Sequence, residues 1–167
     1  ESYCQKESAL KKWYCEKAKG LYLPIYSSYD IRDSGFKVSN VDANIYPAGF
    51  NNICPFDKEN AGELFNRYLK AHYSSAIQEI LLVTEEHTGN PYYWENVLAI
   101  QRLLEQAGKK VLISIPKPLA QPLQVTSATG VSVLVNSAYE DSQVVKEFAP
   151  DLIISNNDFS DANEDWA

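Results

Sequence analysis

Residues 80–115 read ILLVTEEHTGNPYYWENVLAIQRLLEQAGKKVLISI, and the architecture follows from this stretch. Ile80-Leu81-Leu82-Val83 is a short unbroken apolar run, the pattern of a strand covered on both faces. Asn90-Pro91 sets a side-chain capping group directly before a first-turn proline, so a helix is predicted from there. Val97, Ile100, Leu103 and Leu104 then recur at helical spacing, and Gly108 supplies the stop. Val111 to Ile115 is a second apolar strand. Strand, helix and strand in this order predict a parallel pair joined by a right-handed crossover.

Working outward, Asp57 is placed to cap a helix running to about His72, with Leu64, Phe65, Tyr68 and Leu69 on one face. Upstream, residues 3–19 carry Leu10, Trp13, Tyr14 and Ala18 near a helical repeat, with Gly20 as a stop. Ile25 to Ile31 is of strand length, while residues 32–56 lose periodicity and hold Gly35, Pro47, Gly49 and Pro55, which is loop chemistry. A loop of this length in a small domain is usually functional or disordered. Phe36, Val38, Val41, Ile45, Tyr46 and Phe50 give it apolar anchors, which disfavours disorder. Downstream, Leu123 to Ser127 and Val131 to Val135, joined through Thr129-Gly130, predict a β-hairpin. A helix over about Tyr139 to Phe148 and a last buried strand at Leu152 to Ser155 complete the chain. The fold class is α/β: a mostly parallel sheet flanked by helices, Rossmann-like, with an added β-hairpin. Residues 1–160 are expected to form one domain and 161–167 a linker or truncated edge.

Composition narrows the function. With 22 acidic against 15 basic residues the net charge is −7, which argues against a nucleic-acid or anionic-membrane surface. No apolar run approaches the roughly 20 residues that span a bilayer. Cys4, Cys15 and Cys54 have no CxxC spacing, and with only His72 and His87 beside them no metal site is expected. Free thiols and the lack of a leader favour the cytoplasm. The sequence has no Met, so a processed chain or a piece of a longer protein is expected.

Ligands of open α/β sheets collect at the carboxyl ends of parallel strands. Three polar segments are predicted to meet on that rim. The first runs from Arg32 through Lys37, Asp42 and Asn44 to Asn51 and Asn52. Arg suits a bidentate grip on a carboxylate, and amides read donors and acceptors. An amino-acid-like ligand fits this set, with Arg32 or Lys37 facing its carboxylate and Asp42 its ammonium. The alternative is that these Asp and Asn side chains merely bond to nearby backbone and hold the loop. The second segment, Thr84 to Asn90, ends at a helix N-terminus and offers Glu85, His87, Thr88 and Asn90. The third, Asn156-Asn157-Asp158, contributes Asn157. There is no GxxxxGK[ST] loop, GxGxxG fingerprint, GxSxG elbow or HExxH helix. No catalytic residue can be named.

Three runs carry a family resemblance. They are Asp30-Ile31-Arg32-Asp33-Ser34-Gly35-Phe36-Lys37-Val38 continuing through Val41-Asp42-Ala43-Asn44-Ile45-Tyr46-Pro47-Ala48-Gly49-Phe50-Asn51-Asn52, then Glu85 to Tyr93, then Asn156 to Ser160. In this order they resemble the N-terminal region of proteobacterial glutamate–cysteine ligases of the ATP-grasp group, over roughly residues 20–160. Gly89 stands where that pattern carries Arg, Glu86 where it carries Asn, and Tyr46 where it carries Phe. The resemblance implies ATP-dependent joining of the γ-carboxylate of glutamate to the amino group of cysteine, through an acyl phosphate, toward glutathione. It further implies that ATP and Mg2+ are held by C-terminal ATP-grasp domains, partners this chain lacks, so that the chain supplies a substrate wall for glutamate or cysteine, holds no cofactor alone and is inactive in isolation. A stand-alone amino-acid-binding module and a structural or interaction domain are the competing readings.

Overall fold

The computed structural model describes residues 5–86, 89–139, 141–159 and 166. These residues form two sheets: a two-stranded ribbon, and a five-stranded sheet in the order β5-β6-β4-β3-β7. The elements of the main sheet are β3 (Glu79–Thr84), β4 (Lys110–Ile115), β5 (Leu123–Thr126), β6 (Ser132–Ser137) and β7 (Leu152–Asn156). β3 pairs in parallel with both β4 and β7, and β4 in parallel with β6, while β5 and β6 form the antiparallel hairpin. The sheet is thus mostly parallel, as the sequence pattern requires.

Among the described residues four helices accompany it: α1 (Glu7–Ala18), α2 (Pro55–His72), α3 (Pro91–Gln106) and α4 (Gln143–Phe148). α3 is the crossover from β3 to β4. Asn90 caps it, with Oδ1 accepting from the Tyr92 and Tyr93 N–H groups at 3.1 and 3.3 Å, and Gly108 turns the chain at φ 79°. The main core joins Trp94, Val97, Ile100 and Leu104 of α3 and Phe65 and Leu69 of α2 to Ile80 and Leu82 of β3. Alternate residues of β3, Leu81 and Val83, face the other way and pack with Val145 of α4 and with Phe159 and Trp166. The two faces of β3 explain why its run reads as apolar without alternation. Between α2 and α3 the backbones come close: a Cβ added at Gly62 would sit 2.8 Å from Gln106 Cβ.

Five local expectations are corrected. The region read as a loop from residue 32 contains a strand: β1 (Ser28–Asp33) and β2 (Val38–Asn44) form an antiparallel ribbon, closed at Ser34–Lys37 by a Ser34 N–H to Lys37 O bond of 3.0 Å with Gly35 at φ 87°. Every residue of both strands is exposed, so neither shows the burial alternation by which strands are recognised. Of the anchors assigned to this region, Phe50 is buried, whereas Phe36 is 92% exposed and Val38, Val41 and Ile45 are exposed too. The cap residue of α2 is Cys54 rather than Asp57, which lies in the first turn and accepts from Cys54 Sγ at 3.0 Å. α4 starts later than predicted, at Gln143 under a Ser142 cap, and β7 is an edge strand with Ile153 exposed. α1 buries no residue. No helix among the described residues is long and apolar enough to cross a membrane.

Candidate functional site

The chain leaves β3 toward β4 on one side, and later returns through α4 to β7 on the other side of β3. The strand order therefore reverses between β3 and β7, the switch point at which open α/β sheets take ligands. The last register pair of these strands is Thr84 with Asn156. Both are buried, as is Asn157. Asn157 Nδ2 donates to the Thr84 carbonyl at 3.0 Å, its Oδ1 accepts from Phe159 N–H at 2.7 Å, and the two loops are locked together. Thr84 Oγ1 donates to the Ser114 carbonyl on β4 at 3.3 Å. The Glu85 N–H donates to Tyr93 Oη at 2.9 Å, tying the loop after β3 to the first turn of α3. Burial pushes the Tyr93 phenol up to about 12 against the pull of that hydrogen bond, so it is neutral at ordinary pH.

The ribbon is rooted at this same point. Tyr26 Oη donates to Asn156 Oδ1 at 3.1 Å, and burial drives its phenol far above the usual range. Asn156 Nδ2 and Asn96 Nδ2 both reach the Pro47 carbonyl, at 3.5 and 3.4 Å, and the Phe50 N–H donates to Asn96 Oδ1 at 2.8 Å. Two buried amides, one from α3 and one from β7, thus clamp the chain entering and leaving the ribbon.

The predicted site residues divide into three groups. Asn90 and Asn157 are at the switch point, but their side chains are engaged with backbone as cap and as loop lock. Glu85 lies there half-buried. His87 and Thr88 fall outside the described residues. Arg32, Lys37, Asp42 and Asn44 sit on the ribbon, in a sheet of its own, because β1 leads into β2 and not into the main sheet. The three polar segments therefore do not all leave main-sheet strands; the ribbon's base, rather than its length, joins the rim. Asp42 accepts from the Ala43 N–H at 2.9 Å and Asn44 from the Tyr46 N–H at 2.7 Å, the local backbone bonding that Asp and Asn favour. Asn51 and Asn52 lie in a 3-10 turn (Phe50–Asn52) and bond to one another at 3.3 Å, and the Asn51 carbonyl accepts from Lys58 Nζ at 3.0 Å. Arg32 and Lys37 are exposed, and neither side chain has a hydrogen-bond or ion-pair partner among the described residues. Among those residues, too, no group of three or more His, Cys, Asp or Glu side chains could hold a metal ion.

Sequence reasoning passed over Tyr26, Tyr93 and Asn96. A signal existed for Asn96: it is a polar residue in phase with Ile100 and Leu103 on the apolar face of its helix, and such a residue is kept in a core only with partners.

Comparison with known proteins adds the lineage. A chain from Methylobacillus flagellatus KT, provisionally designated a gamma-glutamylcysteine synthetase, has a crystal structure that matches with a TM-score of 0.80 at 27% identity, over 94% of this chain. The matched region is 38% of that chain, so the present sequence spans well under half of its structural relative. No curated protein matches. The family model for glutamate-cysteine ligase (GshA) matches residues 1–167, beyond the 20–160 over which the motifs are legible. This chain belongs to the glutamate-cysteine ligase family.

Proposed function

We propose that this chain is the substrate-side domain of an ATP-dependent ligase that joins the γ-carboxylate of glutamate to the amino group of cysteine. The observation that carries the reading is the clamp at the switch point: Asn96 and Asn156 hold the base of the ribbon against the carboxyl ends of β3 and β7. A ribbon so rooted projects Arg32 and Lys37, cations without a partner among the described residues, from the edge of the ligand crevice. Arg32 suits a bidentate grip on a substrate carboxylate. Asp42 lies directly across from Asp30 in the ribbon, and like charges opposed in this way repel. A substrate ammonium beside them relieves that repulsion.

In this reading residues 1–160 form one α/β unit, and ATP with Mg2+ belongs to the remainder of a longer protein, which closes the crevice from the other side. The ribbon's exposed Tyr29, Ile31, Phe36, Val38 and Val41 are the apolar face such a closure would cover. The test uses the complete protein that contains this sequence. ADP release that requires both glutamate and cysteine supports the proposal. Glutamate binding with no such release would make the domain a binding module, and neither binding nor release would leave it a structural one.

A further inference from the structure

The carboxyl ends of β3 and β7 rest on polar side chains rather than apolar ones. Tyr26, Thr84, Tyr93 and Asn156 are all buried there. Tyr26 Oη donates to Asn156 Oδ1, which orients the amide so that Nδ2 reaches the Pro47 carbonyl. Tyr93 Oη accepts from the Glu85 N–H at 2.9 Å. Hydrogen bonds with the Asn156 and Thr84 side chains act on the same phenol and oppose the rise that burial imposes on it. Thr84 Oγ1 in turn donates to the Ser114 carbonyl on β4. The contacts therefore run without a break from Pro47 at the ribbon's root, through Asn156 and Tyr93, to the backbone of Glu85.

Two buried phenols and a buried amide are costly to desolvate, and apolar groups of the same shape would fill the space at no such cost. All of these groups are satisfied. Among the described residues the buried side-chain polar atoms without a partner are Trp94 Nε1 and Asn136 Oδ1, and neither belongs to this set. A satisfied buried network fixes one arrangement of the elements it joins, and its bonds strengthen one another. The elements joined here are the two walls of the crevice. Tyr26 precedes β1 and Pro47 follows β2, so both stand at the ribbon's root, while Glu85 is the first residue after β3. The Phe50 N–H enters the same root through Asn96, whose Nδ2 shares the Pro47 carbonyl with Asn156.

We propose that this network makes the ribbon's root and the start of the loop after β3 one cooperative unit, opening and closing together, so that a ligand which orders either wall of the crevice orders the other. Coupling between two places requires an element with two states that both of them bias, and the network is that element. Without the Tyr93 oxygen the Glu85 N–H loses its partner and Asn156 loses a contact, which slackens its hold on Pro47. Without the Tyr26 oxygen the same slackening starts from the ribbon and reaches Glu85. The role of a ligand rests on the substrate-side reading proposed above. The coupling itself does not, and it is measured with no ligand present.

Native-state hydrogen exchange of the chain in rising, sub-denaturing urea reads these openings. The Glu85 and Phe50 amides are expected to share one opening free energy and one urea slope, both smaller than those of Leu82 and Val83. Tyr93→Phe keeps the ring and removes only the phenol oxygen. Exchange should then quicken about tenfold at Glu85 and by the same factor at Phe50, whose N–H bonds to Asn96 and not to Tyr93. Tyr26→Phe should likewise quicken Glu85, and the two substitutions together should do less than the product of their separate factors. Unequal slopes in the wild type, exchange of both amides only along with Leu82, or a rise confined to Glu85 in Tyr93→Phe overturns the proposal. Where a variant does not fold, the wild-type slopes decide. In the complete protein glutamate should slow Phe50 and Glu85 by one common factor, and slowing of one alone overturns the coupling. Absence of ADP release dependent on glutamate and cysteine would instead sink the substrate-side reading, with the shared slope still deciding the coupling.

Discussion

Replacing Asn96 by Leu tests the clamp without opening a large void, since the two side chains are close in size. Asn96 is fully buried, and its Oδ1 is the acceptor for the Phe50 N–H at 2.8 Å. The second bond, from Nδ2 to the Pro47 carbonyl, is long at 3.4 Å, and that carbonyl keeps a contact from Asn156 at 3.5 Å. The cost is therefore dominated by one buried N–H left without a partner, about 1–3 kcal/mol. Leu needs no desolvation of an amide, which returns part of this, so a net loss of about 1–2 kcal/mol is expected. Asn96→Ala loses the same bond and leaves a cavity, for a total of about 2–4 kcal/mol. Urea unfolding gives the global loss. Hydrogen exchange at the Phe50 amide gives the local one, and that amide should lose protection before Leu82 or Val83 does. A Leu variant as stable as wild type, with Phe50 still protected, would refute the claim that Asn96 holds the ribbon's base.

Three further outcomes follow from single contacts. Gly62→Ala would place a Cβ 2.8 Å from Gln106 Cβ and 3.1 Å from Gln106 carbonyl carbon. Overpacking of about 1–3 kcal/mol should outweigh the ~1 kcal/mol that alanine gains in a helix. A stabilised variant in urea unfolding would mean that α2 and α3 separate at little cost. Asp151 accepts from the Glu79 and Gln78 N–H groups, and these hold its carboxyl below the usual range. Because the unfolded chain binds that proton more readily, the stabilisation is complete above about pH 4 and fades as pH falls through the folded pKa. Asp151→Asn should flatten the acid limb of the urea midpoint between pH 6 and 2.5, and an unaltered limb would count against the contact. Arg32→Ala should weaken glutamate binding to the complete protein by about 1.5–3 kcal/mol, read by calorimetry. Unchanged affinity in a folded variant removes Arg32 from the site.

The parts legible in the sequence are those whose signal is burial. Ile80 to Val83 reads as a strand because both its faces are covered, and Asn90-Pro91 and Gly108 mark the ends of α3 by capping and backbone geometry that need no tertiary knowledge. The ribbon carries no such signal. Tyr29 and Ile31 alternate with Asp30 and Arg32, but none of these side chains is buried, and the Asp and Asn content of β2 imitates a loop. The clamp was hidden for a different reason. Tyr26, Asn96 and Asn156 are 130 residues apart at the extremes and meet only once the β3–β7 register is known. α1 shows the reverse case: Leu10, Trp13 and Tyr14 predict the helix correctly, yet nothing described in this chain covers them.

An isolated two-stranded ribbon is marginal in water, and one that buries nothing has weakly specified register. The order of β1 and β2 must then come from their clamped base together with whatever covers their sides. Their amides, from Tyr29 to Ala43, should consequently exchange through openings of nearly zero free energy in the chain alone, whereas those of Leu82 and Val83 should exchange only on global unfolding. In the complete protein the ribbon's protection should rise if its apolar side chains are covered by the remaining domains. The decisive result is the chain by itself. If its ribbon is already as protected as β3, something covers it in solution, and sedimentation would then have to find a second copy. A protected ribbon on a monomer would break the inference that Tyr29, Ile31 and Val41 await a partner surface, and with it the reason for placing Arg32 and Lys37 in a composite crevice.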